Sequence, residues 1–517
     1  WVVGIGIGIL IGISAFALDQ FTPGHGESGS TGKELVLAYD HFNQDAAGLL
    51  PVGYSVIEND GSVRIDPVPA ATNLSVRLSA TGETSEGEES SQEAAGSSEA
   101  TLRKIFPAQR GVLTAEVKFM QPAEAGKDAV VFRLMDGSQT TISLEAESGN
   151  LVYRISDKDT EVLLENYAPD TWYILKVVAD VETDLADVYV NGNMIKEQIP
   201  FFRKAAKLDT LESHAANGTV FHLDDIVLAA GRLDIPIGFA SVGMLPTGGF
   251  GGETVTVSTN EDFYKYIMSD DPYVILVDGE IKMTFANYRV KSNKSIIGIG
   301  DSATLSGGGL LMENVHNVVI RNLHFEKARE DSINIVNSHN IWIDHNSFTN
   351  GYDGLLDIRD ASTYVTVSWN KFFNHTKTSL VGHVDGNLID IGRLKGTYHH
   401  NWFDGTAERH PRVRYGEGHV LNNYYDSNPG YGIRPSTSSS VFIEGNYFYN
   451  VKTPIDLHGD PLGQAAEKNN IYDQSGTPNT NGEVFDPFSY YTYYAEPAEG
   501  LNERVKEGAG PGKIKVP

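Results

Sequence analysis

The chain has 517 residues, 40 Lys plus Arg against 68 Asp plus Glu, a formal net charge of −28 and no cysteine. That length allows roughly two to four domains, and 40% hydrophobic residues are enough for real cores. The missing cysteine excludes a disulfide framework, a thiolate zinc site and a cysteine nucleophile, and the acidic balance argues against a nucleic-acid partner.

Residues 1–18, WVVGIGIGILIGISAFAL, carry no charge. The run is long enough for a short membrane span. Ala15-Phe16-Ala17 fits a small-residue cleavage site, which favours a cleaved secretory signal peptide over a retained anchor. The start lacks Met and a basic flank, so the segment reads as truncated at its front. The expectation is a secreted, extracellular monomer with no stable membrane partner once the signal is removed. Residues 19–35 form a polar, Gly-rich linker.

From 36 to 232 the pattern is short strands, such as VLTAEVKFM (112–120), AVVFRLM (129–135), TWYILKVVADV (171–181) and ADVYVNG (186–192). Alternation at period two with Gly, Asn and Asp between runs predicts an antiparallel β-sandwich. Within it, residues 80–101 carry six Glu and no base, which predicts a disordered loop or hairpin tip. Trp172 falls on a core strand position. The order of an opening Asp40-His41-Phe42-Asn43, a VYVNG hairpin and a closing FHLDDIVLAAG (221–231) resembles a concanavalin A-like jelly roll. Pro246 to Gly252, PTGGFGG, reads as a turn near the start of a second domain, 233–517.

That second domain is repetitive. Six segments alternate β-forming residues and end on an aromatic: Phe325, Phe348, Phe372, Phe403, Tyr425 and Phe448, at intervals of 23, 24, 31, 22 and 23. Five of them place an Asn two positions earlier, at Asn346, Asn370, Asn401, Asn423 and Asn446. A coil of three short strands and three bends fits a period near 23, so the fold is predicted to be all-β with a parallel β-helix. The aromatics would stack in the bore about 4.8 Å apart, and the Asn amides would bond between coils. The 31-residue interval is one coil with an insertion, which contains His383 to Asn387.

At that period Asp331, Asp353, Asp357, Lys377, Arg409 and Arg414 fall along one face of adjacent coils. Three carboxylates without His or Cys suit a hard cation, and loose oxygen ligation favours Ca²⁺. Asp353 and Asp357 in a straight strand would lie about 13 Å apart, so Asp353 must sit in a bend, which Gly354 would permit. Between 371 and 414 seven bases face four acids, a local excess of positive charge suited to a polyanion.

Several motifs carry a family resemblance: NVVIRNLHF (317–325), IWIDHNSF (341–348), DGLLDI (353–358), YVTVSWNKF (364–372), HTKTSLVGH (375–383), ERHPRVRYGEGHVLNNYY (408–425) and EGAGPGKI (507–514). Residues 236–517 resemble polysaccharide lyase family 1, the pectate lyases. The resemblance implies a right-handed parallel β-helix and calcium-dependent β-elimination of de-esterified polygalacturonate. By position it makes Asp331, Asp353 and Asp357 calcium ligands, Lys377 and Arg414 substrate-binding bases, and Arg409 the proton acceptor. His410 is a position that can line a subsite, and His345, His399 and His400 read as structural. The tyrosines 490, 491, 493 and 494 read as tail packing rather than a sugar platform. The rival readings are a metal-independent pectin lyase on methyl-esterified substrate, a non-catalytic polygalacturonate-binding adhesin, and a hydrolase, which would need a pair of acids flanking the bond.

Overall fold

The computed structural model describes residues 35–81, 98–126 and 128–516. The apolar leader and most of the glutamate-rich stretch lie outside the described residues. No described helix is long and apolar enough to cross a membrane.

The first part is a pair of antiparallel sheets. One runs in the order Asn193–Pro200, Leu185–Val190, Tyr173–Asp180, Val112–Met120, Val220–Ala230, Asn73–Ser79, Ser62–Ala70, with Val36–Asp40 also on Val220–Ala230. The other centres on Ala129–Asp136, Leu208–Ala216 and Glu99–Gln109. Period-two alternation gives each sheet one apolar face. Val117, Phe119 and Leu175 of the first sheet meet Phe132, Leu144 and Tyr153 of the second in one core. Trp172 is buried, at 4% exposure.

From Glu253 onward the chain winds as a parallel β-helix of three sheets, with ten, nine and seven strands among the described residues. Each coil pairs in register with the next, for example Val318 with Ile341 and Ile341 with Val365. The bore holds a continuous aromatic stack. Phe325, Phe348, Phe372, Phe403, Tyr425 and Phe448 follow one another at centroid spacings of 4.9, 5.0, 5.2, 5.1 and 4.3 Å. The spacing is that of the coils, because strand hydrogen bonding fixes the repeat and the rings must follow it. Tyr472 adds one further ring at 5.0 Å.

The asparagines form the expected ladder. Each Nδ2 donates to the next Oδ1, from Asn346 through Asn370, Asn401 and Asn423 to Asn446, at 2.9–3.1 Å. Asn470 extends it by one rung at 3.0 Å. The same amides cap backbone carbonyls of the preceding coil, as Asn401 Nδ2 does for Val367 at 2.8 Å. A buried bend cannot leave its polar groups unpaired, so a side chain with both donor and acceptor is required at every rung.

The sandwich docks on the long sheet of the β-helix. Lys176 Nζ reaches Asp234 at 2.9 Å, Asp234 accepts from Arg321 Nη1 at 2.8 Å, and Arg321 Nε donates to Asp344 at 2.8 Å. The tail threads the same seam: Thr492 donates to Asp224 and accepts from Lys118 Nζ. Tyr491 and Tyr493 are buried around Phe239, so this tyrosine cluster packs the tail.

Candidate active site

The third sheet of the β-helix carries the site on its outward face and margins. A strand pointing alternate side chains outward stacks equivalent residues of successive coils. Asn334, Asp357, Leu380 and Arg412 thereby form one outward column. The bends before these strands form a second column, in which Ser332 N bonds Gly354 O, Leu356 N bonds Thr378 O and Lys377 bridges Glu408. It brings Asp331, Asp353, Lys377 and Arg409 together. Arg414 stands at the far ends of the strands, its Cβ directly over Gly382. The six expected residues thus share one face, but in three columns rather than one. A β-helix coil presents both its strands and its bends, and spacing alone does not tell them apart.

Asp353 lies in the bend before the strand Leu356–Arg359, as its distance from Asp357 required. Gly354 is needed there for space. A Cβ would stand 2.7 Å from Asp357 Oδ1 and 2.9 Å from Asp331 Oδ1. The two carboxylates therefore border one small cradle that any side chain would fill. Asp331 Oδ1 accepts from Gly354 N at 2.8 Å, and Asp331 Oδ2 from Asn334 Nδ2 at 3.0 Å. Asp357 Oδ1 accepts from Leu380 N at 3.1 Å. Burial, then the Asp331 charge, pushes the Asp357 carboxyl up to about 7. Burial also raises Asp331. Two desolvated carboxyls at one cradle are short of positive charge, which a cation would supply.

Asp353 does not complete the set. Its carboxylate is held by Lys377 Nζ at 2.6 Å, and that hydrogen bond lowers its pKa. Among the described residues no three acidic or His side chains are grouped closely enough to hold a metal ion. The ion pair is 42% and 50% exposed, and pairs so open to solvent are worth only about 0–1 kcal/mol. It is therefore easily opened.

Arg409 bends the chain with φ of 68°, a left-handed conformation unusual for a side chain of its size. Its carbonyl accepts from Ser379 N at 2.7 Å. Its guanidinium has no hydrogen-bond partner among the described residues, while its charge acts on both Asp353 and Asp357. Arg414 is largely buried and fixed: Nε donates to Asp385 at 2.7 Å and Nη1 to Gly382 O at 3.0 Å. His410, expected as a possible subsite lining, is instead fully buried. Its Nδ1 lies 2.8 Å from Tyr431 O, its ring packs edge-on to Phe403, and burial lowers its pKa to about 4.

Two positioning residues escaped the sequence reading, and a third residue, Arg412, was read only as a base neighbouring Arg409. Asn334 orients Asp331 and Asp385 orients Arg414. Arg412 sits between Leu380 and Arg434 in the outward column with its buried Nε unpaired. Burial, then Arg414, lowers the Arg412 pKa. Asn334 lies one 23-residue period before Asp357, and that interval was a usable signal. Asp385 lies in the insertion, where the period gives no register.

A family model described as pectate lyase matches residues 226–513. A pectate trisaccharide-lyase of Thermotoga sp. (strain RQ2) is 39% identical over 333 residues, covering 54% of this chain and 90% of that protein. Pectate lyase A of Emericella nidulans is 40% identical over 250 residues, covering 46% of this chain and 76% of that protein. The solved structure of a pectate lyase from Acidovorax avenae subsp. citrulli superposes with a TM-score of 0.50 at 20% identity, over 56% of this chain and 97% of that one, which speaks to fold alone.

Proposed function

This chain belongs to the pectate lyase family and is a polysaccharide lyase, and from that premise we propose that it cleaves de-esterified polygalacturonate by calcium-dependent β-elimination outside the cell. The observation that carries the reading is the cradle at Gly354, where the Asp331 and Asp357 carboxylates border one space and the Arg409 charge acts on Asp357.

The C5 proton of a galacturonate unit is α to a carboxylate and hardly acidic. Asp331, Asp357 and, once released from Lys377, Asp353 would hold a calcium ion, which would supply positive charge to stabilise the charge that develops as the proton leaves. Opening of the Lys377–Asp353 pair would free Asp353 for that set and the Lys377 ammonium for a substrate carboxylate. Arg414, held rigid by Asp385 and Gly382 O, offers its remaining nitrogen to the same chain. Arg409 takes the C5 proton, the electron pair left at C5 forms the C4–C5 double bond as the C4–O bond breaks, and the departing oxygen takes a proton from water, giving a 4,5-unsaturated end and a new hydroxyl end. An arginine accepts a proton only as its free base, so activity rises toward alkaline pH.

The test follows ultraviolet absorbance of the unsaturated product on polygalacturonate and on highly methylated pectin, with and without EDTA. Absorbance on polygalacturonate that EDTA abolishes is expected. EDTA-resistant absorbance on methylated pectin alone would instead indicate a pectin lyase. New reducing ends without absorbance would indicate a hydrolase, and neither signal a binding protein. Arg409→Lys is expected to lose most turnover while still binding polygalacturonate. Near-normal turnover in that variant would remove Arg409 from the role of base.

A further inference from the structure

The strand Leu356–Arg359 sends two charged side chains to one outward face, because residues two apart on a strand point the same way. Asp357 borders the cradle at Gly354. Arg359 stands at the end of the strand, in register with Val336 of the preceding coil. No hydrogen bond joins it to either cradle carboxylate among the described residues. Instead its Nε donates to Asn334 Oδ1 at 3.0 Å, and its Nη1 lies 3.4 Å from Asp360. Asp360 is itself held by Asn387 Nδ2 of the inserted segment at 2.9 Å.

The Asn334 side chain is buried, and both ends of its amide are engaged. Oδ1 accepts from Arg359, and Nδ2 donates to Asp331 Oδ2 at 3.0 Å. A guanidinium only donates, so it fixes which end of the amide turns toward Asp331. A flipped amide would set N–H against N–H at Arg359 and oxygen against carboxylate at Asp331. The Asn334 bond falls on the carboxylate oxygen away from the cradle. Asp331 Oδ1 is the atom beside Gly354, sharing its space with Asp357 Oδ1. The carboxyl torsion of an aspartate is broad when left to itself, so an anchor on Oδ2 keeps Oδ1 aimed at the cradle. The other hydrogen bond to this carboxylate, from Gly354 N at 2.8 Å, comes from the bend that also carries Asp353. Asn334, on a strand, is the anchor independent of that bend.

We propose that Arg359 is a positioning residue for the cation: by orienting the Asn334 amide it holds Asp331 in the cradle, and so raises calcium affinity through two side chains that do not touch the ion. The proposal rests on the calcium reading above. Partners that orient metal ligands in this way govern affinity by roughly 10–100-fold. Charge alone gives the opposite expectation. Arg359 is close enough for its charge to act on Asp331, and a guanidinium so placed repels a cation. The sign of the effect separates the two accounts.

The test is calcium titration by isothermal calorimetry of the substrate-free protein, stripped with EDTA and dialysed. The variants are Arg359→Met, Arg359→Lys, Asn334→Leu and the double variant Asn334→Leu/Arg359→Met. Arg359→Met and Asn334→Leu are each expected to raise the calcium Kd by about tenfold or more. The double variant is expected to lose no more than Asn334→Leu alone, since Arg359 acts through the amide. Arg359→Lys keeps the charge and a donor without the planar fork, and is expected to lose less than Arg359→Met. An unchanged or tighter Kd in Arg359→Met overturns the proposal, as does a double variant whose loss is the product of the single losses. A lower Tm in EDTA with an unaltered calcium Kd marks a structural role only and also overturns it. With no substrate present, a contact between Arg359 and galacturonan does not move this readout. A parent protein that takes up no calcium overturns the calcium reading and the proposal with it, whereas calcium uptake by the parent with an unchanged Kd in the Arg359 variants overturns the proposal alone.

Discussion

Gly354 shows how one missing side chain organises the site. The bend before Leu356 could be made by several residues, but none with a Cβ would leave Asp331 and Asp357 on either side of the same space. That crowding has a measurable consequence. With the Asp357 carboxyl pushed up to about 7, the metal-free folded protein keeps a proton that the unfolded chain has lost above roughly pH 4. Stability of the metal-free protein therefore falls as pH rises between about 4 and 7. Asp357→Asn removes that cost while keeping an acceptor for Leu380 N. In EDTA at about pH 8 it is expected to raise Tm by roughly 2–4 °C and to remove any stabilisation by added calcium. Calorimetry of both proteins, with EDTA and with calcium, checks this; an Asp357→Asn variant still stabilised by calcium would place the ion elsewhere. The chemical types at the site were legible in the sequence, because acids and bases recurred at the coil period. Their partners were less so. Lys377 reads from the sequence as a substrate base, and the contact that occupies it, Asp353, follows from two adjacent bends rather than from spacing.

At the scale of the element, the period carried most of the fold. Aromatics and asparagines at intervals near 23 predicted the stack and the ladder, and the register pairs them coil by coil. The last rung was missed. Tyr472 and Asn470 keep the interval, but their coil has the strand Gln464–Lys468, with most of its side chains partly or fully exposed and a polar sequence. A terminal coil has no neighbour on one side, so its sequence loses the apolar alternation that marks the others. Position along the ladder should then set its energetics. Asn401 is fully buried and makes bonds to Val367 O, Asn423 Oδ1, Asn370 N and Asn370 Nδ2. Asn401→Ala is expected to cost at least about 3 kcal/mol, because several buried partners lose their bonds at once. Asn470→Ala, on the half-exposed last rung, should cost about 1 kcal/mol. Denaturant unfolding of the two variants measures the difference.

Across the whole molecule, the joint between sandwich and β-helix is a chain of buried charges. Burial raises the Asp234 carboxyl, but Lys176 and Arg321 outweigh it and hold the group well below the usual carboxylate range. At Asp344, burial likewise raises the carboxyl, but His345 and Arg321 outweigh it and hold it at about 2. Groups with depressed folded pKa values stabilise above their unfolded values and lose that contribution as pH falls. The joint should therefore weaken between about pH 4 and pH 2. Asp234→Ala leaves buried Lys176 without its carboxylate partner and Arg321 with Asp344 alone, at an expected cost of about 3 kcal/mol. Thermal unfolding of this variant followed by calorimetry should show a lowered or split transition, whereas an unchanged profile would mean the joint draws its strength from the tyrosine-lined tail instead. The acidity of the chain as a whole does not oppose an anionic substrate, because positive charge is concentrated at one site, in Lys377, Arg409, Arg412 and Arg414.

The sequence by itself determined the all-β class, the repeat, the ring stack, the amide ladder and the residue types of a polyanion site. These are periodic features, and a period is written in one dimension. Only the tertiary structure decided which of those residues face one another. It divided the site into strand and bend columns, turned Asp353 toward Lys377 and buried His410. Each of these depends on bends and insertions, where the backbone changes direction and spacing along the chain no longer measures distance in space.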